Sequence, residues 1–214
     1  MSYADAEQHW NGRYASAGDD YLFGTAPNKF LKSQLQRLHP GQKALSVADG
    51  EGRNSVWLAE EGLVVTAVEL SPVALHKARR LAVARHAEVD FVLADILKWA
   101  WPVGGYDAVA AIFMQFVAPA ERSLVFERMQ AALNPGGLLL LQGYTPKQLE
   151  YRTGGPSALE NLYTAELLRE AFGAMEILEL REHEDHLEEG SSGHRGHWGR
   201  SALVDLVARK KGFD

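Results

Sequence analysis

Two glycines and one carboxylate in the first third of the chain have the types and spacing that bind an adenosine-containing cofactor. Gly50 and Gly52 follow an apolar run, and Glu69 closes the next apolar run. Glycines let the backbone approach a ligand closely. A carboxylate about 20 residues further on can accept hydrogen bonds from two ribose hydroxyls. The segment therefore predicts a turn that binds an adenosine cofactor.

Each of these residues also has an ordinary explanation. Gly50 and Gly52 could form only a tight turn, and Glu69 could be a solvated strand end. Asp95, which follows the third predicted strand, could be a helix N-cap. Their order decides between the readings, because each polar residue follows one of several consecutive predicted strands. The carboxyl ends of parallel strands are where open α/β sheets bind ligands. The order therefore favours a binding site.

The histidines near the carboxyl end of the chain do not indicate a metal centre. His183 and His186, like His194 and His197, are spaced by three residues, which can fit metal ligands. A solvated hairpin tip explains this polar loop better, and His194 or His197 facing a substrate pocket is the alternative to a metal site. The chain has no cysteine, which excludes disulfides and thiolate ligands. Ser55 lacks the G-x-S-x-G frame of a nucleophile elbow. The sequence predicts no metal ion.

The elements that must position these residues alternate between strands and helices. The patterning predicts a short helix and a loop before residue 26, and a helix over residues 27–38. Five β-α units follow, and then a hairpin, because two strands without a helix between them pair antiparallel. The predicted strands are 44–47, 63–68, 89–93, 106–113, 138–141, 175–184 and 201–209. The other predicted helices are 53–61, one that starts at Ser71-Pro72, 119–133 and 164–172.

Composition bounds the class of protein and its partners. A chain of 214 residues with 46% hydrophobic residues fits one α/β domain with a real core. The formal net charge is −6, so no global field attracts nucleic acid or anionic lipid. The start has no signal-peptide pattern, and no run reaches the ~18 apolar residues that span a membrane. The sequence predicts a cytoplasmic monomer or homodimer with a small-molecule partner and no nucleic-acid or membrane partner.

With these features the chain resembles the class I S-adenosylmethionine-dependent methyltransferases. Within them it is similar to a small bacterial group related to tellurite-resistance and thiopurine methyltransferases. The matching segments are WNGRYASAGDDYLFGTAPNKFL, DGEGRN, LNPGG and YTPKQLEYRTGGP. The resemblance implies a three-layer, Rossmann-like α/β fold, with helices on both faces of a seven-stranded sheet whose last strand is antiparallel. It also implies a helical lid over residues 1–40 and an S-adenosylmethionine-binding domain over residues 41–214, within one structural domain.

The resemblance implies which residues hold S-adenosylmethionine. The methionine portion lies against the turn at residues 48–52, Glu69 holds the ribose, and Asp95 meets the adenine amine. Trp10 lies over the cofactor, and the segment from Phe113 lies under the sulfonium. The implied cofactor residues are Trp10, Ala48, Asp49, Gly50, Glu51, Gly52, Arg53, Asn54, Glu69, Leu70, Ser71, Ala94, Asp95, Ile96, Phe113 and Gln115.

The activity that the resemblance implies is methyl transfer to a small acceptor. No catalytic residue is identified. A soft nucleophile, such as a thiol or a chalcogen oxyanion, needs no base early in the reaction. Arg152 suits an anionic acceptor. The acceptor-side candidates are Tyr14, Tyr21, Gln115, Tyr144, Arg152 and His194.

Departures from the family pattern motivate a second hypothesis. Ser46 and Ala48 stand where many class I enzymes carry an acid and a glycine, and Gln115 stands where related proteins often carry histidine. The alternative is a non-catalytic protein of the same fold that binds S-adenosylmethionine or S-adenosylhomocysteine. A nicotinamide dehydrogenase is a third hypothesis, but its G-x-G-x-x-G pattern requires a glycine where Ser55 stands.

Overall fold

A computed structural model describes residues 3–188 and 198–212. The strands are β1 (Lys43–Val47), β2 (Val64–Glu69), β3 (Val89–Leu93), β4 (Tyr106–Ile112), β5 (Leu133–Tyr144), β6 (Glu176–Glu188) and β7 (Trp198–Arg209). The helices are α1 (Tyr3–Ser16), α2 (Lys29–Ser33), α3 (Arg53–Glu60), α4 (Pro72–Ala84), α5 (Pro119–Ala132), α6 (Gln148–Tyr151) and α7 (Ala165–Ala171). The strands form one seven-stranded sheet in the order β3-β2-β1-β4-β5-β7-β6.

The first of two compact units contains residues 3–99. In it β1, β2 and β3 are parallel, with Val47 beside Val68 and Glu69 beside Leu93. The connections are α3 and α4, as parallel strands require a crossover. Helix α4 starts as the sequence predicts, because the Ser71 hydroxyl accepts a hydrogen bond from the Ala74 amide and a proline follows the cap. These crossovers bring the ends of β1 and β2 to the same edge.

The second unit contains residues 100–188 and 198–212. Strands β4 and β5 are parallel, whereas β7 pairs antiparallel with both β5 and β6. Tyr144 at the end of β5 lies opposite Leu203 of β7. The hairpin of the last two strands and the antiparallel last strand are therefore confirmed.

Three element predictions are wrong in detail. No helix separates β3 from β4; the Asp95 carboxylate accepts a hydrogen bond from the Leu97 amide and closes a turn, so the third β-α unit is missing. Strand β5 begins at Leu133, because Asn134 bonds both the Gly105 amide and the Asp107 carboxylate. The single helix predicted over residues 27–38 is divided into α2 and a 3-10 turn at Leu35–Arg37.

The predicted fold class is otherwise confirmed by the mixed seven-stranded sheet with surrounding helices. Among the helices in the described part of the chain, none is both long and apolar enough to cross a membrane. The core is made of the apolar residues of the strands and of the inner helix faces, such as Leu45, Val68 and Leu75.

Candidate cofactor site

The turn after β1 holds three residues in the left-handed region of backbone space. Ala48, Gly50 and Gly52 have φ angles of 52°, 66° and 90°. The Asp49 amide donates to the Val68 carbonyl at 3.1 Å, which ties the turn to the end of β2. Alanine adopts this conformation at a cost of roughly 1–2 kcal/mol. The turn is therefore formed although its first position is not glycine.

The two glycines of the turn make room for different neighbours. A Cβ atom at Gly50 would lie 2.9 Å from the hydroxyl of Tyr14, and one at Gly52 would lie 2.9 Å from the Cβ of Ala78. Gly52 therefore lets α3 begin against α4, while Gly50 lets a tyrosine hydroxyl approach the backbone. Tyr14, an acceptor-side candidate in the sequence, lies against the predicted cofactor turn.

The Asp49 carboxylate is directed into the protein. Its Oδ1 accepts from the Ser46 hydroxyl at 2.7 Å, and its Oδ2 accepts from the Ser55 hydroxyl at 2.5 Å. Burial raises the pKa of Asp49, and these hydroxyls act in the opposite direction. Ser46 is thus a donor to the acid of the turn. The amides of Asp49 and Gly50 also bond within the protein, so they are not the ones to receive a cofactor carboxylate.

Glu69 places a buried carboxylate at the end of β2, with 5% of the residue exposed. Its Oε2 accepts from the Gly50 amide and its Oε1 accepts from the Ser71 amide, both at 2.8 Å. Burial raises the pKa of Glu69 to about 7, although the two amides favour the charged form. A carboxylate has about four acceptor positions, so Glu69 retains acceptor capacity beside its backbone donors.

Residues around this carboxylate also connect the N-terminal helix to α4. The Ser71 hydroxyl donates to Asn11 Oδ1 at 2.5 Å. Trp10 stacks on Tyr14 with a ring separation of 5.8 Å, and the Arg13 guanidinium lies 5.1 Å from the Trp10 ring. The predicted cofactor residue Trp10 therefore lies in the same unit as the turn and packs on its tyrosine.

The start of α3 is polar and buried. Arg53 and Asn54 are 7% and 6% exposed. The Asn54 side chain accepts the Asn28 amide at 2.9 Å, so Asn54 fixes the entry of α2. Arg53 lies close enough to Asp49 to favour its charged form. Arg53 is therefore the candidate partner in this site for an anionic group of a cofactor, such as a carboxylate.

The segment after β3 has the shape of a polar turn. The Ala94 amide donates to the Glu69 carbonyl at 2.9 Å, which keeps the segment beside the end of β2. The Asp95 side chain accepts from Leu97, so one carboxylate oxygen has a structural use. Ile96 is buried and Leu70 is partly buried. The first unit thus brings its predicted cofactor residues to one edge of its three strands.

Gln115, in the second unit, is occupied by backbone groups. Its Oε1 accepts the Tyr144 amide at 2.5 Å, and its Nε2 donates to the carbonyls of Tyr144 and Asn161 at 2.8 and 3.1 Å. Phe113 has a φ of 55° and stacks on the Tyr144 ring at 4.8 Å. The Gln115 side chain therefore fixes the end of β5.

The remaining acceptor-side candidates are dispersed. The Tyr21 hydroxyl donates to the Lys77 carbonyl at 3.2 Å, in the first unit. Tyr144 is 1% exposed, whereas Arg152 is exposed and has a φ of 55°, both in the second unit. His194 lies outside the described residues.

Two residues with structural importance are not evident from the sequence. Lys77 is 4% exposed and forms an ion pair with Glu51 at 2.9 Å. Asp205 is fully buried and contacts Arg181 and His183 at 2.9 and 2.8 Å. The sequence contains one indication for Lys77, because this residue is a lone charge within the apolar stripe of α4.

In residues 3–188 and 198–212, no group of three acidic or histidine side chains could hold a metal ion.

Comparisons with known proteins agree with this geometry. Residues 44–137 match a family model described as a methyltransferase domain. A demethylmenaquinone methyltransferase of Thermus thermophilus is 34% identical over 108 residues, which cover 49% of this chain and 48% of that protein. The chain spans about half the length of the curated relatives it matches.

Solved structures resemble the chain over most of its length. One, from work on the conversion of a disulfide bond into a thioacetal group during echinomycin biosynthesis, has a TM-score of 0.77 and 18% identity. It covers 96% of this chain and 92% of its own. TehB from Haemophilus influenzae has a TM-score of 0.72 and 20% identity, covering 94% of this chain and 67% of its own. The predicted resemblance to class I S-adenosylmethionine-dependent methyltransferases, and their fold, are confirmed.

Proposed function

We propose, from its resemblance to class I S-adenosylmethionine-dependent methyltransferases, that this chain transfers a methyl group from S-adenosylmethionine to a small acceptor. The observation that carries the proposal is the Glu69 carboxylate. It is buried, backbone amides fix its position, and the carboxylate keeps acceptor capacity for further donors. Two neighbouring hydroxyls of a ribose are the donors that such a carboxylate fits.

The other residues of the first unit suit the same cofactor. Asp95 accepts one internal hydrogen bond and retains acceptor capacity for an exocyclic amine. Arg53 offers a guanidinium to the carboxylate of the methionine portion, because the Asp49 and Gly50 amides are used within the protein. Residues 1–40 serve as a lid segment, in which Tyr14 lies against the turn and Trp10 stacks on Tyr14.

When bound, S-adenosylmethionine supplies a methyl group that its sulfonium already activates. The chain's own work is therefore to hold the cofactor, orient the acceptor and exclude water. Glu69, Asp95 and the turn do the holding.

The acceptor class that fits best is a soft nucleophile, either a thiol or a chalcogen oxyanion. Gln115 cannot act as a base, and its amide is committed to three backbone groups. A nucleophile that is already anionic or highly polarisable does not require a base in that position. Arg152, which is exposed, is the candidate partner for an anionic acceptor.

The test is transfer of a labelled methyl group from S-adenosylmethionine to a panel of thiols and chalcogen oxyanions. Turnover with any member supports the proposal, and the specificity within the panel identifies the acceptor class. Tight binding of S-adenosylhomocysteine without turnover on any acceptor would favour the alternative, a non-catalytic protein that binds the cofactor. Ala48 supports that alternative only weakly, since the turn keeps its shape.

A further inference from the structure

Lys77 is a buried lysine whose three donors are all used. The residue is 4% exposed on α4. Its ammonium donates to the carbonyls of Tyr14 and Asp20, both at 2.7 Å, and to Glu51 Oε1 at 2.9 Å. A lysine ammonium has three hydrogen atoms to donate, so the group is fully satisfied. One side chain thus connects α4, the glycine turn and the N-terminal segment.

Glu51 makes the second half of this connection. Its Oε2 accepts from the Phe23 amide at 3.5 Å, while Oε1 accepts from Lys77. The side chains of the pair are only 5% and 2% exposed. Burial raises the pKa of Glu51 and the lysine lowers it, so the ion pair offsets a desolvation penalty. Glu51 therefore faces Lys77 and the N-terminal segment.

Tyr14 is where this connection reaches the candidate site. Its carbonyl is bound by Lys77, and its hydroxyl lies where a Cβ of Gly50 would be 2.9 Å away. The ring packs with Leu22 and Ala74 in a small buried cluster. Burial raises the pKa of Tyr14 well above its usual value, and the charge of Glu69 raises it further. The hydroxyl is therefore neutral and lies within the field of the ribose-binding carboxylate.

We infer that Lys77 is a positioning residue for the cofactor site, which holds the Tyr14 hydroxyl against the glycine turn by binding the backbone of the N-terminal segment. The inference rests on the proposed function, because it assumes that the turn binds S-adenosylmethionine. A buried ion pair is by itself weak evidence for stability. Two of the three acceptors of Lys77 belong to residues 14–20, so loss of the ammonium loosens that segment specifically.

The test uses Lys77→Met, which keeps much of the length of the side chain without its charge, and the double variant Lys77→Met/Glu51→Gln. The double variant removes the unpaired buried acid and should recover most of the lost stability. Affinity for S-adenosylhomocysteine, measured by calorimetry, should fall about tenfold in the single variant and remain low in the double variant. If affinity recovers together with stability, the lysine has only a structural role and the inference is overturned.

A second comparison isolates positioning from stability. Tyr14→Phe should weaken S-adenosylhomocysteine binding clearly in the wild-type background, and much less in the Lys77→Met background, where the hydroxyl is no longer held. Equal losses in both backgrounds would contradict the inference. Leu168→Ala, a fully buried substitution in the second unit, is the control for destabilisation and should leave affinity unchanged.

A ligand-free measurement separates this inference from the proposed function. Trypsin should cleave after Arg13 faster in both Lys77 variants than in the wild type, because the N-terminal segment is released. Unchanged cleavage would overturn the positioning role whatever the cofactor. A wild-type protein that binds neither S-adenosylmethionine nor S-adenosylhomocysteine would overturn the proposed function and the inference together, even with faster cleavage in the variants.

Discussion

The pKa of Glu69 makes a quantitative prediction about stability. The carboxyl titrates at about 7 in the folded protein against 4.5 for the ordinary group. The folded state therefore keeps its proton at pH values where the unfolded chain has lost it. Stability from this group is complete below pH 4.5 and is lost as pH rises toward 7. Between pH 5 and pH 8 the loss amounts to about 2.5 kcal/mol.

Glu69→Gln removes the titration and retains the size of the side chain. The amide group of glutamine has one acceptor oxygen, so either the Gly50 or the Ser71 amide loses its partner, at a cost that does not depend on pH. The free energy of unfolding of the variant minus that of the wild type should therefore rise by about 2.5 kcal/mol from pH 5 to pH 8.

The assay is urea unfolding followed by far-UV circular dichroism at pH 5, 6, 7 and 8. Asp19→Asn is the matched control, because this acid has a 98% exposed side chain and only a surface ion pair with Arg80. Its stability difference from the wild type should stay nearly constant with pH. A constant difference for Glu69→Gln would show that the carboxyl is ionised at its ordinary pKa and would refute the reasoning.

Four further predictions follow from the same contacts. Binding of S-adenosylhomocysteine should be about tenfold weaker at pH 6 than at pH 8, because hydroxyl donors need the ionised Glu69; calorimetry should show proton release, and a pH-independent affinity would contradict this. Gly52→Ala should lower the free energy of unfolding by at least about 3 kcal/mol, since the added methyl strains the turn and meets Ala78. Gly18→Ala, with a φ of 58° and open space around it, should cost only about 1 kcal/mol, so equal costs would refute the packing role of Gly52. Gln115→Leu should cost roughly 1–3 kcal/mol, measured in the same urea assay, because the buried Tyr144 amide loses its side-chain acceptor, while the Tyr144 carbonyl keeps the Tyr163 amide as a donor.

Sequence reasoning succeeds where a local pattern determines the outcome. The glycine turn, the Ser71 cap of α4 and the parallel strands could all be predicted, because the periodicity and the turn residues act within a few positions. The position of Glu69 at the end of β2 was predictable for the same reason, because it closes a strand next to a recognisable turn; its contact with a ribose stays a prediction. The antiparallel last strand was predictable from two adjacent strands without a helix.

Other features depend on contacts between residues far apart in the chain. Lys77 binds groups 26 to 63 positions away, and Gln115 binds the backbone 29 positions further on. No periodicity reports such partners. The missing helix after β3 had a misleading signal, because an aspartate that closes a turn looks like a helix cap. Asp49 was assigned to the cofactor by resemblance, but its carboxylate serves Ser46 and Ser55.

The most direct test of the central claim is the affinity of Glu69→Ala for S-adenosylhomocysteine, measured by calorimetry at pH 8 beside the wild type. The account predicts that the wild type binds and that the variant loses roughly 1–3 kcal/mol of binding free energy, because two hydroxyls lose a charged acceptor. The fold should persist by circular dichroism. A folded variant with an unchanged dissociation constant would contradict the assignment of Glu69 to the ribose and, with it, the site proposed for this protein.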